Sequence, residues 1–207
     1  MSDKIVLTDD LYLGEGKHKI VFAHPTEKNL CVKILHNAPD PDFEREMRYR
    51  KSLGKHADSM RLLTKFYGEV ETSKGTGYIF ERVVDFDGKA SKELSQMFEE
   101  TIADKNFLPT LEKILIEFRR DYFAEKIPLA GIDAKNYLVQ KISPTEYRVR
   151  IIDNIGTSAK FPLAYYFDHF AKKRAAKYWK LFVDDIGLQY KSLFTENFLL
   201  KLSEVAE

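Results

Sequence analysis

Cysteine is nearly missing from this chain: Cys31 stands alone among 207 residues. No internal disulfide can form, and no zinc cluster can be assembled on thiolates. Long apolar runs are missing as well. Nothing approaches the roughly 18 consecutive apolar residues of a membrane span. The opening MSDKIVLTDD is acidic and lacks the apolar stretch of a secretory leader. Neither sign of charge dominates, since 33 Lys and Arg stand against 32 Asp and Glu, for a net charge of +1. That balance gives no reason to expect nucleic acid or a membrane as the main partner. A local patch of phosphate-binding lysines would escape such a count. His18, His24, His36, His56 and His169 are scattered without metal-ligand spacing, and no Ser-His-Asp arrangement can be argued. A reducing, cytoplasmic location is the expectation.

The chain is 44% apolar and 31% charged, the balance of a folded globular protein rather than a disordered one. Its length suits one full core, or two small lobes sharing a cleft. Residues 4–35 predict three strands. LYLGEG and KIVFA flank the glycines, HPTEKN is a turn, and LCVKIL is a mostly apolar, partly β-branched run. NAPDPD then punctuates the chain. Pro41 suits a first helical position, Asp42 and Glu44 suit a helix N-terminus, and FEREMRYRKSLG reads as a helix stopped at Gly54. RLLTKFYGEVET and GYIFERVV read as two further strands around an SKGTG turn.

Beyond residue 84 the character changes. DFDGKAS is a polar connector, and Ser91 suits the cap of a helix carrying Leu94, Met97, Phe98 and Ile102. Pro109 opens a longer helix with Leu111, Ile114, Leu115, Phe118 and Tyr122. YLVQ and YRVRIID are short strands, and the remainder from about Pro162 to Glu207 reads as helical and aromatic-rich. The fold class is therefore α+β, a β-rich part at 1–84 and a mainly helical part at 85–207 within one domain.

Four stretches bear on chemistry. In LGEGKHKIVF, Gly14 and Gly16 leave room for backbone N–H groups to approach phosphate oxygens. The loop leads into a strand, which excludes the strand-loop-helix order of a dinucleotide fingerprint. In CVKIL, Lys33 lies central in a strand, where it must face solvent or find a partner. Glu46, on the helix that follows, is placed to supply one. In IDAKNYLV, Asn136 stands at the entrance to a strand. In RIIDNIG, Asp153 ends one. A carboxylate and an amide oxygen are hard donors suited to magnesium beside phosphates. Each stretch also has an ordinary reading: a hairpin, a surface lysine, a turn asparagine, a strand-end turn. Their order is what carries weight, because glycine loop, strand lysine, helix glutamate, loop asparagine and strand-end aspartate follow one another as in protein kinases.

The stretches GEGKHKIVFAHP, CVKI, REMRYRKSLG, GTGYIFERVVDFDGK, KNYLV and DNIG resemble the YrbL family of PhoP regulatory network proteins, over nearly the whole chain. The resemblance implies a small bacterial protein of protein-kinase-like fold, two-lobed, with ATP and magnesium in an interlobe cleft. On that pattern Gly14 and Gly16 match the first two loop glycines. Lys19 stands where a third would be, and Val21 lies over the base. Lys33 holds phosphate oxygens and pairs with Glu46, Glu81 to Val83 form the hinge that meets adenine, and Asn136 and Asp153 hold the metal.

The chain also departs from that pattern. Kinases carry a catalytic aspartate five residues before the loop asparagine, and here that position is Gly131. Asp133, three residues before Asn136, is the candidate to reach the same space. Asp153 is followed by Asn-Ile-Gly, and no activation segment ending in an APE-like motif is visible. Because a positioned base contributes typically about 10²–10⁴-fold, its loss weakens a phosphotransferase reading without removing it. Three readings stay open. They are phosphoryl transfer to an unknown acceptor, in which a small molecule fits better than a protein; a pseudokinase working as a regulatory nucleotide-binding or interaction module with a protein partner; and nucleotidyl transfer.

Overall fold

The glycine-containing hairpin opens a five-stranded antiparallel sheet. In the computed structural model, which describes residues 4–204, the strands are β1 (Tyr12–Glu15), β2 (Lys19–Ala23), β3 (Leu30–Leu35), β4 (Phe66–Thr72) and β5 (Gly75–Glu81). Their spatial order is β1-β2-β3-β5-β4. Alternation along β3 sorts its side chains to two faces. Val32 and Ile34 join Leu7 and Phe22 in a small apolar cluster on one face. Lys33, directly across from Val21 on one side and Tyr78 on the other, points to the opposite face.

Helix α1 (Pro41–Leu53) is inserted between β3 and β4. Its start is set by Asp40, whose carboxylate accepts hydrogen bonds from the N–H groups of Asp42 (3.0 Å) and Phe43 (2.8 Å), with Pro41 at the first position. Gly54, at φ 55°, ends it, as its sequence position predicts.

The rest of the chain forms a three-stranded sheet, β6 (Lys92–Glu93), β7 (Tyr137–Lys141) and β8 (Tyr147–Ile151), with α2 (Leu94–Ala103), α3 (Leu108–Glu125), α4 (Asp168–Gln189) and α5 (Glu196–Ser203). Leu111, Ile114, Leu115, Phe118 and Tyr122 form the buried stripe of α3, as their spacing predicts. They meet Trp179 and Phe182 of α4, and the Trp179 indole donates to the Leu202 carbonyl at 2.7 Å. The α+β class and the five-stranded sheet agree with the sequence reading. The expected helical remainder reaches Glu207, and its last three residues lie outside those described. Among the described residues, no helix is long and apolar enough to cross a membrane.

Two local expectations are corrected. The strand expected over 61–72 begins only at Phe66. Leu62 and Leu63 are fully buried in the larger core, and the Ile151 N–H of β8 donates to the Leu62 carbonyl at 2.7 Å. Burial there overrides the local strand pattern. Ser91 does not cap α2. Its hydroxyl donates to Asp85 at 2.6 Å, and α2 opens with a capping box between Glu93 and Gln96. Strand β6, two residues long, carries no period that sequence could reveal.

Candidate functional site

Lys33 is buried, and its Nζ donates to the Ile152 carbonyl at 3.1 Å, directly before Asp153. The same ammonium lies 4.1 Å from the centre of the Phe80 ring. Burial, with Lys19 nearby, holds its pKa below the ordinary lysine value, while Glu46 and Asp153 act in the other direction. Among the described residues Lys33 has no ion pair.

The expected Lys33–Glu46 pair is therefore not formed. Glu46 is buried on α1, but its Oε1 accepts from Nε (2.8 Å) and lies 2.6 Å from a terminal nitrogen of Arg50, one turn further along α1. The remaining arm of Arg50 donates to the Thr64 carbonyl at 2.6 Å. The Arg50 guanidinium meets the buried Glu46 carboxylate with one hydrogen bond and a close ion pair from the same helix, one turn away. Phe80 lies near both cations, its ring centre 4.1 Å from Lys33 and 5.3 Å from Arg50.

Lys19, at the start of β2, reaches Asp153 instead, Nζ to Oδ2 at 2.8 Å. Burial pushes the Asp153 carboxyl up, but Lys19 and Lys33 outweigh it and hold the pKa below the usual value. Asn136 ends a 3-10 turn, and its carbonyl accepts from the Ile152 N–H at 3.0 Å. Through that pairing of β7 and β8, Asn136 lies beside the Ile152–Asp153 corner. Sequence positions 19, 33, 136 and 153 thus come together.

Gly14 and Gly16 shape the hairpin above them. The Gly16 N–H donates to the Lys19 carbonyl at 2.9 Å, and β1 carries a bulge between Tyr12 and Gly14. A Cβ at either glycine would meet nothing within 4 Å, so no internal packing demands a bare backbone there. Val21 lies next to Lys33 in the register of β2 and β3.

At the expected hinge, Glu81 turns its carboxylate to Arg150 of β8, at 2.9 and 2.6 Å. Its N–H donates to the Lys65 carbonyl, and the Val83 carbonyl accepts from Ser91 at 3.4 Å. Burial pushes the Glu81 carboxyl up, but Arg150 prevails and lowers it. Asp133 is exposed and caps the turn that leads to Asn136, accepting from the Lys135 N–H at 3.0 Å. Behind it, the space at Gly131 is filled: a Cβ there would stand 2.8 Å from Nδ2 of Asn154.

Several residues of this region went unnoticed in the sequence. Arg45 donates to the Ile155 carbonyl at 3.2 Å and Arg48 to the Thr157 carbonyl at 3.0 Å, which fixes α1 against the DNIG turn. Gly156, at φ +97°, lets that turn approach so closely that a Cβ would lie 2.9 Å from the Arg45 carbonyl. A run of three basic residues at 45, 48 and 50 was the only sign of these contacts. It reads equally as a solvated helix face.

Comparison with known proteins places the chain. Residues 5–187 match the family described as PhoP regulatory network protein YrbL. The YrbL proteins of Escherichia coli (strain K12) and Shigella flexneri are each 30% identical to it over 182 residues, covering 86% of this chain and 86% of theirs. With a match over most of its length to both the family and these relatives, the chain belongs to the YrbL family.

Proposed function

We propose that the region where the five-stranded sheet meets the β7–β8 corner binds ATP with magnesium, and that the protein is a kinase-like phosphotransferase with a small-molecule acceptor. One observation carries this reading. Lys33 is a buried ammonium without a carboxylate of its own, set beside Asp153, which already holds Lys19. Two ammonium groups face one carboxylate, and the surplus positive charge suits a polyphosphate.

The donor set fits the metal too. Asp153 and Asn136 offer hard oxygen atoms. Among the described residues no group of three or more His, Cys, Asp or Glu could hold a metal ion. Magnesium beside a nucleotide is ordinarily held by one or two protein groups, the phosphates and water, rather than by a protein cage. Magnesium would supply charge neutralisation at the phosphates. Lys33 and Lys19 would hold phosphate oxygens, the open backbone at Gly14 and Gly16 would admit them, and Val21 would cover the base. Asp133 is the proton acceptor this reading has at hand, from an exposed loop.

The test is a thermal-shift panel with nucleotides, with and without magnesium. ATP with magnesium should raise the melting temperature, and Lys33→Ala and Asp153→Ala should each abolish the magnesium-dependent part. An unaltered shift in both variants would remove the assignment. A second reading, a pseudokinase acting as a regulatory module, is favoured by Gly131, whose neighbour Asn154 occupies the space of a side chain there. Purified protein that binds ATP-magnesium yet never consumes it would decide for that module. Mass spectrometry of any product would separate nucleotidyl from phosphoryl transfer.

A further inference from the structure

Helix α4 has one buried apolar face and, opposite it, a charged face that also exposes three large apolar side chains. Ala175, Trp179, Phe182, Val183 and Ile186 are buried. On the far side, Phe170 (42% exposed), Leu181 (42%) and Leu188 (65%) point outward along one line. At 100° per residue these three fall within about 20° of one another; Lys177 lies about 20° and Asp184 about 40° to one side of Phe170, with Lys173 and Asp185 about 60° away on either side. The strip runs about 27 Å, from Phe170 to Leu188. It continues into the segment before the helix, where Phe161 (76%), Tyr166 (67%) and Phe167 (55%) are exposed, and the Phe167 ring meets Phe170 edge-on at 6.3 Å.

The charge around the N-terminal half of this strip is one-sided, whereas its C-terminal half carries Asp184 and Asp185. Residues 160–180 hold six basic side chains, at 160, 172, 173, 174, 177 and 180, against one acid, Asp168, a net +5 within a chain of net +1. Lys172 is paired with Asp168 and Lys180 with Asp184. Lys160, Lys173 and Lys177 are exposed and have no ion pair among the described residues. Near-neutral total charge conceals this patch.

The geometry points to a peripheral docking face for an anionic lipid bilayer, made by residues 160–177, with the rings of 161–170 entering the headgroup layer and the acidic C-terminal half of α4 turned away from it. Exposed aromatic and leucine side chains flanked by free lysines are the arrangement of an interfacial helix. Protein partners fit less well, because lysine is depleted from their interfaces. Single-stranded nucleic acid needs a groove along which bases stack, and this face is the outward side of a helix.

Co-sedimentation of the full chain with vesicles tests the face. Phosphatidylcholine vesicles containing phosphatidylglycerol should retain the protein, and pure phosphatidylcholine vesicles should not. Rising salt should weaken retention. Lys173→Glu with Lys177→Glu should lower partitioning at least about tenfold. Phe161→Ser with Phe167→Ser should also lower it severalfold, since buried apolar area adds to the attraction. These positions are exposed, and serine at 167 suits the cap of α4, so both variants should melt like the parent. Failure to bind anionic vesicles, or equal binding by the parent and either variant, overturns the proposal. So does capture of a polyuridine oligonucleotide, or self-association, through these residues while vesicles are ignored.

Discussion

The Lys19 ammonium and the Asp153 carboxylate stand 2.8 Å apart, joining the strand after the glycine turn to the end of β8. The pair is partly exposed, so its contribution to stability is small, about 0–1 kcal/mol. Its consequence lies in competition. If Asp153 holds magnesium, Lys19 and the metal compete for one carboxylate. Lys19→Ala should lower the magnesium concentration needed for half of the ATP-dependent thermal shift. A higher requirement would show that Lys19 serves the phosphates more than it competes with the metal, and an unchanged one that it does neither.

Glu46 and Lys33 should separate stability from binding. Glu46→Ala leaves the Arg50 guanidinium buried without its counter-ion, at a cost of about 3–5 kcal/mol. Lys33→Met removes a buried ammonium whose pKa burial already depresses, so stability should hold or rise while the magnesium-ATP shift disappears. Urea unfolding of both variants reads the first quantity. Large destabilisation by Lys33→Met would mark the lysine as structural.

Restoring an aspartate at 131 should fail alone. Its Cβ would press on the Asn154 amide, and overpacking of that kind costs about 1–3 kcal/mol. Asn154 has φ 57°, a conformation glycine adopts freely. The double variant Gly131→Asp with Asn154→Gly should therefore recover most of the lost stability. Equal melting temperatures for single and double variants would contradict this account.

Acid should weaken the bridge from Glu81 to Arg150. The folded-state pKa of Glu81 lies below its ordinary value, so the unfolded chain takes up its proton first. Stability from this pair is present above the usual glutamate pKa of about 4.3 and is lost as pH falls through it toward the folded-state value. Melting temperature measured from neutral to about pH 3 should fall more steeply for the parent than for Glu81→Gln. Parallel curves would mean that the bridge contributes nothing.

Much of the architecture is legible in local residues. Asp40, Pro41 and Gly54 bound α1, and the spacing from Leu111 to Tyr122 marks α3. Both depend on interactions within a few residues, which pattern captures. Lys33, Asn136 and Asp153, far apart in sequence, also lie near one another at the Ile152–Asp153 corner. Pairing was less legible. Glu46 looked like the partner of Lys33, yet Arg50 reaches it from one turn away. Arg45, Arg48 and Arg150 find backbone carbonyls and a carboxylate distant in sequence.

The sequence by itself determined the strands of the five-stranded sheet, the start and stop of α1 and the buried stripe of α3, because propensity, capping and periodicity act over a few residues. Only the tertiary structure decided which charge meets which: Lys19 with Asp153, Glu46 with Arg50, Glu81 with Arg150. Those choices rest on distance and donor geometry between segments far apart along the chain, where an ångström or two settles which ion pair forms.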